Sequence, residues 1–287
     1  MNQNKPKPVL LIAGPTASGK SALAVQLAQE RGGVIINADA LQVYRELHIL
    51  SARPTDAELA QAPHSLYGHI SGRKTYSVAA WLAEAKREIS KAWAQDLLPI
   101  VTGGTGLYFM VLEQGLAEVP PIAEEIREKW RAFEGDIHVE LQRRDPLASA
   151  KLKPNDRQRI ARALEVIEGT GQTLSHWQSQ AQQQAFLSDA QVQHVLVDVS
   201  REELYARADA RFDKMMAAGA LDEVRPLLKF DGTLPMMRAI GVAELVSHLR
   251  GEISLDEAVN LAKISTRQFI KRQLTWGRGQ AAHWQRA

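Results

Sequence analysis

Gly14, Pro15, Thr16, Ala17, Ser18, Gly19, Lys20 and Ser21 have the residue types and spacing of a loop that holds phosphate, G-x-x-x-x-G-K-[ST]. Its glycines let backbone N–H groups converge on phosphate oxygens, and the helix that follows offers its positive end. Lys20 neutralises the terminal phosphate charge, and the Ser21 hydroxyl is placed to ligate Mg2+. The pattern is strong for phosphate and weaker for ATP in particular. Which phosphate compound is held, and with what outcome, depends on the rest of the chain.

Asp39 stands just past an apolar run, "VIINA" at 34–38. Ligands of open α/β sheets bind outside the carboxyl ends of strands, so this carboxylate is expected to face the same crevice as the loop. A turn aspartate capping the next segment has the same local signature. "GGTGLY" at 103–108 is a second glycine-rich turn, with Thr105 as a hydroxyl donor, although glycines also simply permit tight turns. Further on, Lys263, Arg267 and Lys271 are four apart and form one basic stripe, with Arg272 and Arg278 nearby and Phe269 and Trp276 interleaved. Such groups hold a nucleic acid backbone and stack bases, yet a solvated helix face has the same composition. The eight histidines show no metal-ligand spacing and are assigned structural roles, His64 being the one set aside for inspection.

The elements that position these residues follow from periodicity. "VLLIA" at 9–13 predicts a buried strand entering the loop, and Ser21–Glu30 a helix ended by Gly32 and Gly33. Strands are predicted at 34–38, 97–102 and 192–199. Val78, Trp81, Leu82, Ala85, Ile89 and Trp93 recur at helical spacing behind Ser77 as a cap. This alternation predicts a phosphate-loop α/β fold, a parallel sheet with helices on both faces. From 113 to 191 the pattern is helical, clearest over Asn155–Glu168, where Ile160, Leu164 and Ile167 share one face and Asp156, Arg159 and Arg162 another. The expected domains are therefore 1–112 with 192–287 as the core and 113–191 as an inserted all-helical domain. Glutamine-rich residues 178–184 suggest a surface connection or a poorly ordered helix. Ser200 with Glu203, and Ser254 with Glu257, have capping-box spacing before the last two long helices.

Composition is that of an ordinary globular protein: of 287 residues, 45% are hydrophobic and 24% charged. A net charge of +2 does not by itself indicate nucleic acid. No apolar run approaches the ~20 residues of a membrane span. The opening "MNQNKPKP" lacks a signal peptide's apolar stretch, so a cytoplasmic protein is expected. The absence of cysteine excludes disulfides, thiolate-bound zinc and cysteine nucleophiles.

Taken together and in order, "GPTASGKSALA", "DALQVYRELHI", "PHSLYGHI", "VTGGTGLYF", "PNDRQRIARALEVIEGTG", "RFDKMMAAGALDEV", "RAIGVAELVSHLRGE" and "TRQFIKRQLTWGR" resemble the bacterial tRNA dimethylallyltransferase family across nearly the whole chain. The resemblance implies that the loop binds the diphosphate of dimethylallyl diphosphate. It also implies that the dimethylallyl group passes to N6 of adenosine 37, beside the anticodon of tRNAs reading codons that begin with U, with Mg2+ as cofactor. On this reading Asp39 is the base that orients and deprotonates the amine, and Thr16 and Arg211 lie near the diphosphate. Thr105 and Arg127 match positions that touch tRNA. The family's tRNA-binding segments fall on Asp39, Ala40, Leu41 and Gln42; on Gln158, Arg159, Ile160, Ala161 and Arg162; on Arg238–Ala243; and on Lys271–Arg278, which includes Arg272, Gln273, Trp276 and Arg278. The enzyme is expected to act as a monomer on the anticodon stem-loop, with no membrane partner and its target base out of the stack.

Some positions depart from the family pattern. Ala40 stands where Ser is usual, Ser65 replaces a frequent second His, and Gly277 replaces a bulky residue, an expectation of a looser end to the basic helix. Two other readings of the phosphate loop are a small-molecule kinase that turns over ATP and an RNA-binding protein switched by a nucleotide.

Overall fold

The structure, a computed structural model, describes residues 6–183 and 185–287. Residues 1–5 of the polar opening, and Gln184 of the glutamine-rich stretch, lie outside the described residues. Six strands, β1 (Pro8–Ala13), β2 (Gly33–Asn37), β3 (His64–Ser65), β4 (Leu98–Gly103), β5 (Gln191–Leu196) and β6 (Gln285–Arg286), form one sheet in the order β3-β2-β4-β1-β5-β6. Every pairing in it is parallel. Helices cover both faces, which is why β1 is buried continuously from Val9 to Ala13 rather than in alternation.

The chain divides into two compact units: residues up to Met110 together with Asp189–Ala287, and Val111–Ser188. In the first unit, β1 runs into the phosphate loop and then the helix Lys20–Arg31. Gly19 (φ 91°) starts this helix and Gly32 (φ 64°) ends it, both left-handed. The helix Val78–Ala94 is capped by Ser77, whose hydroxyl accepts the Ala80 N–H at 3.1 Å, and buries Trp81, Leu82, Ala85, Ile89 and Ala92. The Trp81 indole N–H donates to the Asn37 carbonyl at 2.8 Å, pinning the carboxyl end of β2.

The ends of β2 and β4 touch where Gly103 meets Ala38. A side-chain carbon on Gly103 would overlap the Ala38 carbonyl and lie 2.8 Å from its Cα. Gly103→Ala is therefore expected to destabilise the protein by about 3 kcal/mol, since backbone cannot yield as a side chain can. Urea denaturation checks this: an unchanged midpoint would show that the strand ends separate freely.

Two long helices, Arg201–Ala217 and Leu255–Gly279, close this unit. Ser200 and Ser254 accept the N–H groups of Glu203 and Glu257, so the serine half of each expected capping box forms. The Glu203 carboxylate turns instead to Arg207, at 2.5 Å. The expected basic stripe is mostly paired within the protein. Lys263 pairs with Asp213 at 2.6 Å and Arg267 takes Asp209 through two nitrogens, so an acidic row on Arg201–Ala217 neutralises two of its three cations. Gly277 does not loosen the helix, which continues to Gly279; a side-chain carbon there would meet Leu196 at 3.2 Å, so glycine lets the helix lie close to β5.

In the second unit all described regular elements are helices: Glu124–Ala132, Ile137–Arg144, Pro146–Lys151, Arg157–Thr170 and Leu174–Gln183, the last taking in most of the glutamine-rich stretch. Their core contains Trp130, Ile137, Leu141, Ile160 and Leu164. Among the described residues no helix is long and apolar enough to cross a membrane.

Candidate active site

The phosphate loop leaves β1 at Gly14 and turns through Ala17 (φ 65°) and Gly19 (φ 91°), both left-handed. The Ser18 N–H donates to the Pro15 carbonyl at 3.2 Å, and Lys20 Nζ arches back to the same oxygen at 3.2 Å. Burial pushes the Lys20 ammonium down to about 8; Asp39 opposes that shift and Arg211 adds to it. The Ser18 hydroxyl is buried without a hydrogen-bond partner among the described residues. A buried ammonium and an unsatisfied hydroxyl in one loop are the groups that a bound anion would satisfy.

Asp39 divides its carboxylate between two duties. Oδ1 accepts the N–H groups of Leu41 at 2.9 Å and Gln42 at 3.4 Å, which is the turn-capping role. Oδ2 lies on the side of Gly104, 3.5 Å from where a side-chain carbon on that glycine would stand. Asn37, buried at the end of β2, holds the Asp39 backbone from both sides: its oxygen accepts the N–H at 2.8 Å and its amide donates to the carbonyl at 3.0 Å. Thr105 Oγ1 accepts the Ala40 N–H at 3.0 Å, so the second glycine turn grips the Asp39 turn and keeps its own hydroxyl hydrogen to donate.

Arg211, from the helix Arg201–Ala217, donates to Thr16 Oγ1 at 3.4 Å. Burial holds its guanidinium below the usual arginine range, and Asp39 opposes this. Thr16, Asp39, Thr105 and Arg211 line one cavity of about 310 Å³, with Leu50, Phe212 and Met215 among its apolar walls. A more polar groove of about 540 Å³ passes Pro15, Asp198, Arg201, Arg278 and Arg286.

The chain was compared with known proteins. The model of a family described as IPP transferase matches residues 42–280, and one described as isopentenyl transferase matches residues 7–67. The chain belongs to the IPP transferase family. Among its relatives, the tRNA dimethylallyltransferase of Nitrobacter hamburgensis is 51% identical over 94% of this chain and 87% of its own length. That of Azorhizobium caulinodans is 49% identical over 96% and 91%. The crystal structure of the tRNA isopentenylpyrophosphate transferase of Bacillus halodurans is similar with a TM-score of 0.72, at 31% identity over 99% of this chain and 90% of that one. A eukaryotic dimethylallyltransferase, solved acting on tRNA, has a TM-score of 0.81 at 28% identity over 94% and 70%.

The residues expected from the resemblance to touch tRNA separate by exposure. Lys271, Arg272, Arg278 and Arg238 are exposed in the first unit, and Gln158, Arg159 and Arg162 in the second. Arg159 is paired with Asp156 at 3.2 Å, Arg162 with Glu165 at 3.3 Å and Arg127 with Glu124 at 2.5 Å. Ile160 and Ala161 are different: they belong to the core of the helical unit and have no side-chain surface to offer. Gln273 and Trp276 also face inward. The Trp276 ring lies 6.1 Å from Phe109 and 5.9 Å from Trp284, and Gln273 is 9% exposed. The Gln42 amide is taken up by the carbonyls of Ser51 and Ala52, both at 2.9 Å. His64 bonds the Ala62 carbonyl at 2.7 Å and has no chemical role here.

Sequence reasoning passed over three supporting residues. Asn37 interrupts an apolar strand directly before Asp39, a signal that was available. Glu223 gives none: its carboxylate accepts the N–H groups of His48, Ile49 and Leu50 at 2.6, 2.7 and 2.9 Å and fixes the loop that supplies Leu50 to the cavity. Tyr108, stacked on Trp81 at 4.1 Å, has its phenol pushed up by burial and by the charge of Asp39, so it stays neutral beside that carboxylate.

Among the described residues no group of three or more His, Asp or Glu side chains could hold a metal. Ser21 is exposed at the start of its helix, directly after Lys20.

Proposed function

We propose that this protein transfers the dimethylallyl group of dimethylallyl diphosphate to N6 of adenosine 37 in tRNA, releasing diphosphate. The observation that carries this is the single cavity in which Asp39 faces Thr16 and Arg211 across apolar walls. The names of the relatives support it. An exocyclic adenine amine is a weak nucleophile, and a diphosphate is a leaving group only if its charge is stabilised. The cavity offers a group for each need. The amine nitrogen bonds to the allylic C1 while the C1–O bond breaks and its electron pair leaves with the diphosphate. Asp39 Oδ2 takes the amine proton. The loop N–H groups, Lys20 and Arg211 stabilise the departing charge. Ser21 would hold Mg2+, which would supply further charge neutralisation. The protein acts as a monomer, in the cytoplasm where its acceptor is found. The exposed cations Lys271, Arg272 and Arg278 hold RNA backbone.

The test is incubation with labelled dimethylallyl diphosphate, Mg2+ and an unmodified tRNA whose anticodon is followed by adenines, then nuclease digestion and mass spectrometry. Label on N6 of the adenine 3′ of the anticodon is the expected result. Absence of label from several such tRNAs would overturn the reading. EDTA in excess of Mg2+ is expected to slow transfer at least ~100-fold, restored by added Mg2+. Full activity in EDTA would remove the metal from the mechanism.

A further inference from the structure

Gln273 sits on the helix Leu255–Gly279 between cations expected to face RNA, yet it points the other way. Its Oε1 accepts the Thr16 N–H at 2.8 Å, and its Nε2 donates to the Gly104 carbonyl at 3.0 Å. One planar amide therefore joins the phosphate loop to the second glycine turn. Both turns hold the reacting groups. Thr16 is gripped from its other side by Arg211, through the hydroxyl. Gly104 adjoins Asp39: a side-chain carbon on that glycine would overlap Gln273 Nε2 and stand in ordinary contact, 3.5 Å, with Asp39 Oδ2.

We propose that Gln273 is a positioning residue for the transfer reaction, which sets the separation between the diphosphate loop and the Asp39 turn, and that it is not an RNA contact. This rests on the diphosphate reading of the loop given above. The geometry requires a group that accepts at one end and donates at the other. Glutamine does so without a charge, whereas a carboxylate would accept from Thr16 but repel the Gly104 carbonyl and the diphosphate. The glutamine is buried, so loss of the amide leaves the Thr16 N–H and the Gly104 carbonyl unpartnered and removes this side-chain link between the two turns beyond the paired ends of β1 and β4. Misplacement of reacting groups by about 1 Å costs on the order of 100-fold in rate. The outward cations on the same helix are untouched by the change.

The test uses Gln273→Met and Gln273→Glu in the full chain. Inorganic pyrophosphate affinity is measured by calorimetry without RNA, anticodon stem-loop affinity by fluorescence anisotropy without donor, and kcat by single turnover. Gln273→Met is expected to lower kcat about 100-fold and pyrophosphate affinity about tenfold, with stem-loop affinity within about twofold of wild type. Gln273→Glu, which keeps the side-chain shape, is expected to lower both at least as far and serves if the Met variant fails to fold. A tenfold loss of stem-loop affinity with normal pyrophosphate binding would overturn the proposal in favour of an RNA contact. Unchanged values in all three would overturn it as well. If the wild type binds pyrophosphate but transfers no dimethylallyl group, the proposed function fails on its own, and pyrophosphate affinity in the variants still decides whether Gln273 sets the loop.

Discussion

Asp39→Asn is expected to lower the single-turnover rate of dimethylallyl transfer by about 1,000-fold, within the range of general-base catalysis, while pyrophosphate affinity stays within about twofold. Asparagine is the informative replacement. Its Oδ1 still accepts the N–H groups of Leu41 and Gln42, so the turn survives, and only the proton acceptor on the Gly104 side is lost. Alanine would remove both and confuse a chemical loss with a misplaced Ala40 and Leu41, which also line the cavity. A rate within tenfold of wild type for the asparagine variant would transfer the base role to another group. Equal losses of rate and pyrophosphate affinity would instead mean that Asp39 organises the donor site.

Lys20→Met is expected to lower pyrophosphate affinity about 100-fold at pH 7 and kcat by a similar factor, the scale for removal of one preorganised charge from a transferring phosphate. The pH dependence separates this from general damage. In the free protein Lys20 loses its proton near pH 8, far below an exposed lysine, because the ammonium is poorly solvated in its loop. Binding of a polyanion requires the charged form. Wild-type affinity is therefore full below pH 7 and falls about tenfold per pH unit above 8. The methionine variant lacks this fall. Comparison of the two profiles cancels the ligand's own ionisation. Parallel profiles would show that Lys20 is already neutral, or already far from the anion, when the ligand arrives.

Both variants act on residues visible in the sequence, but the reason each is the right variant was not. Asp39 presented two patterns at once, a crevice carboxylate and a turn cap, and the structure has Asp39 lining the cavity with Thr16 while its Oδ1 caps the turn. Local sequence cannot place the second oxygen of that carboxylate, because the backbone of Asp39 is held by Asn37 on β2 and the second oxygen lies on the side of Gly104, after β4. The last long helix shows the same limit. Its spacing correctly placed Lys263, Arg267 and Lys271 on one side, yet the first two are neutralised by Asp213 and Asp209, some 50 residues earlier. A charge run looks alike in sequence whether it meets RNA, water or an acidic neighbour. Ile160 and Ala161 fell within a segment associated with RNA because a helical segment contains both faces, and only packing separates them.

The phosphate loop, the parallel sheet and the helical stretch between 113 and 191 were legible in the chain because each is a local pattern. Glycine placement, an unbroken apolar run and a 3.6-residue period all act within a few residues of themselves. The separation between the phosphate loop and Asp39 is different in kind. It depends on Gln273, Glu223 and Arg211 reaching across 169, 173 and 195 residues of chain to Gly104, Leu50 and Thr16. Side chains of ordinary type acquire these roles only when the sheet brings the ends of β1, β2 and β4 together and the last helices fold over them. Hydrogen bonds at about 3 Å have no signature in sequence, and tertiary structure alone decides them.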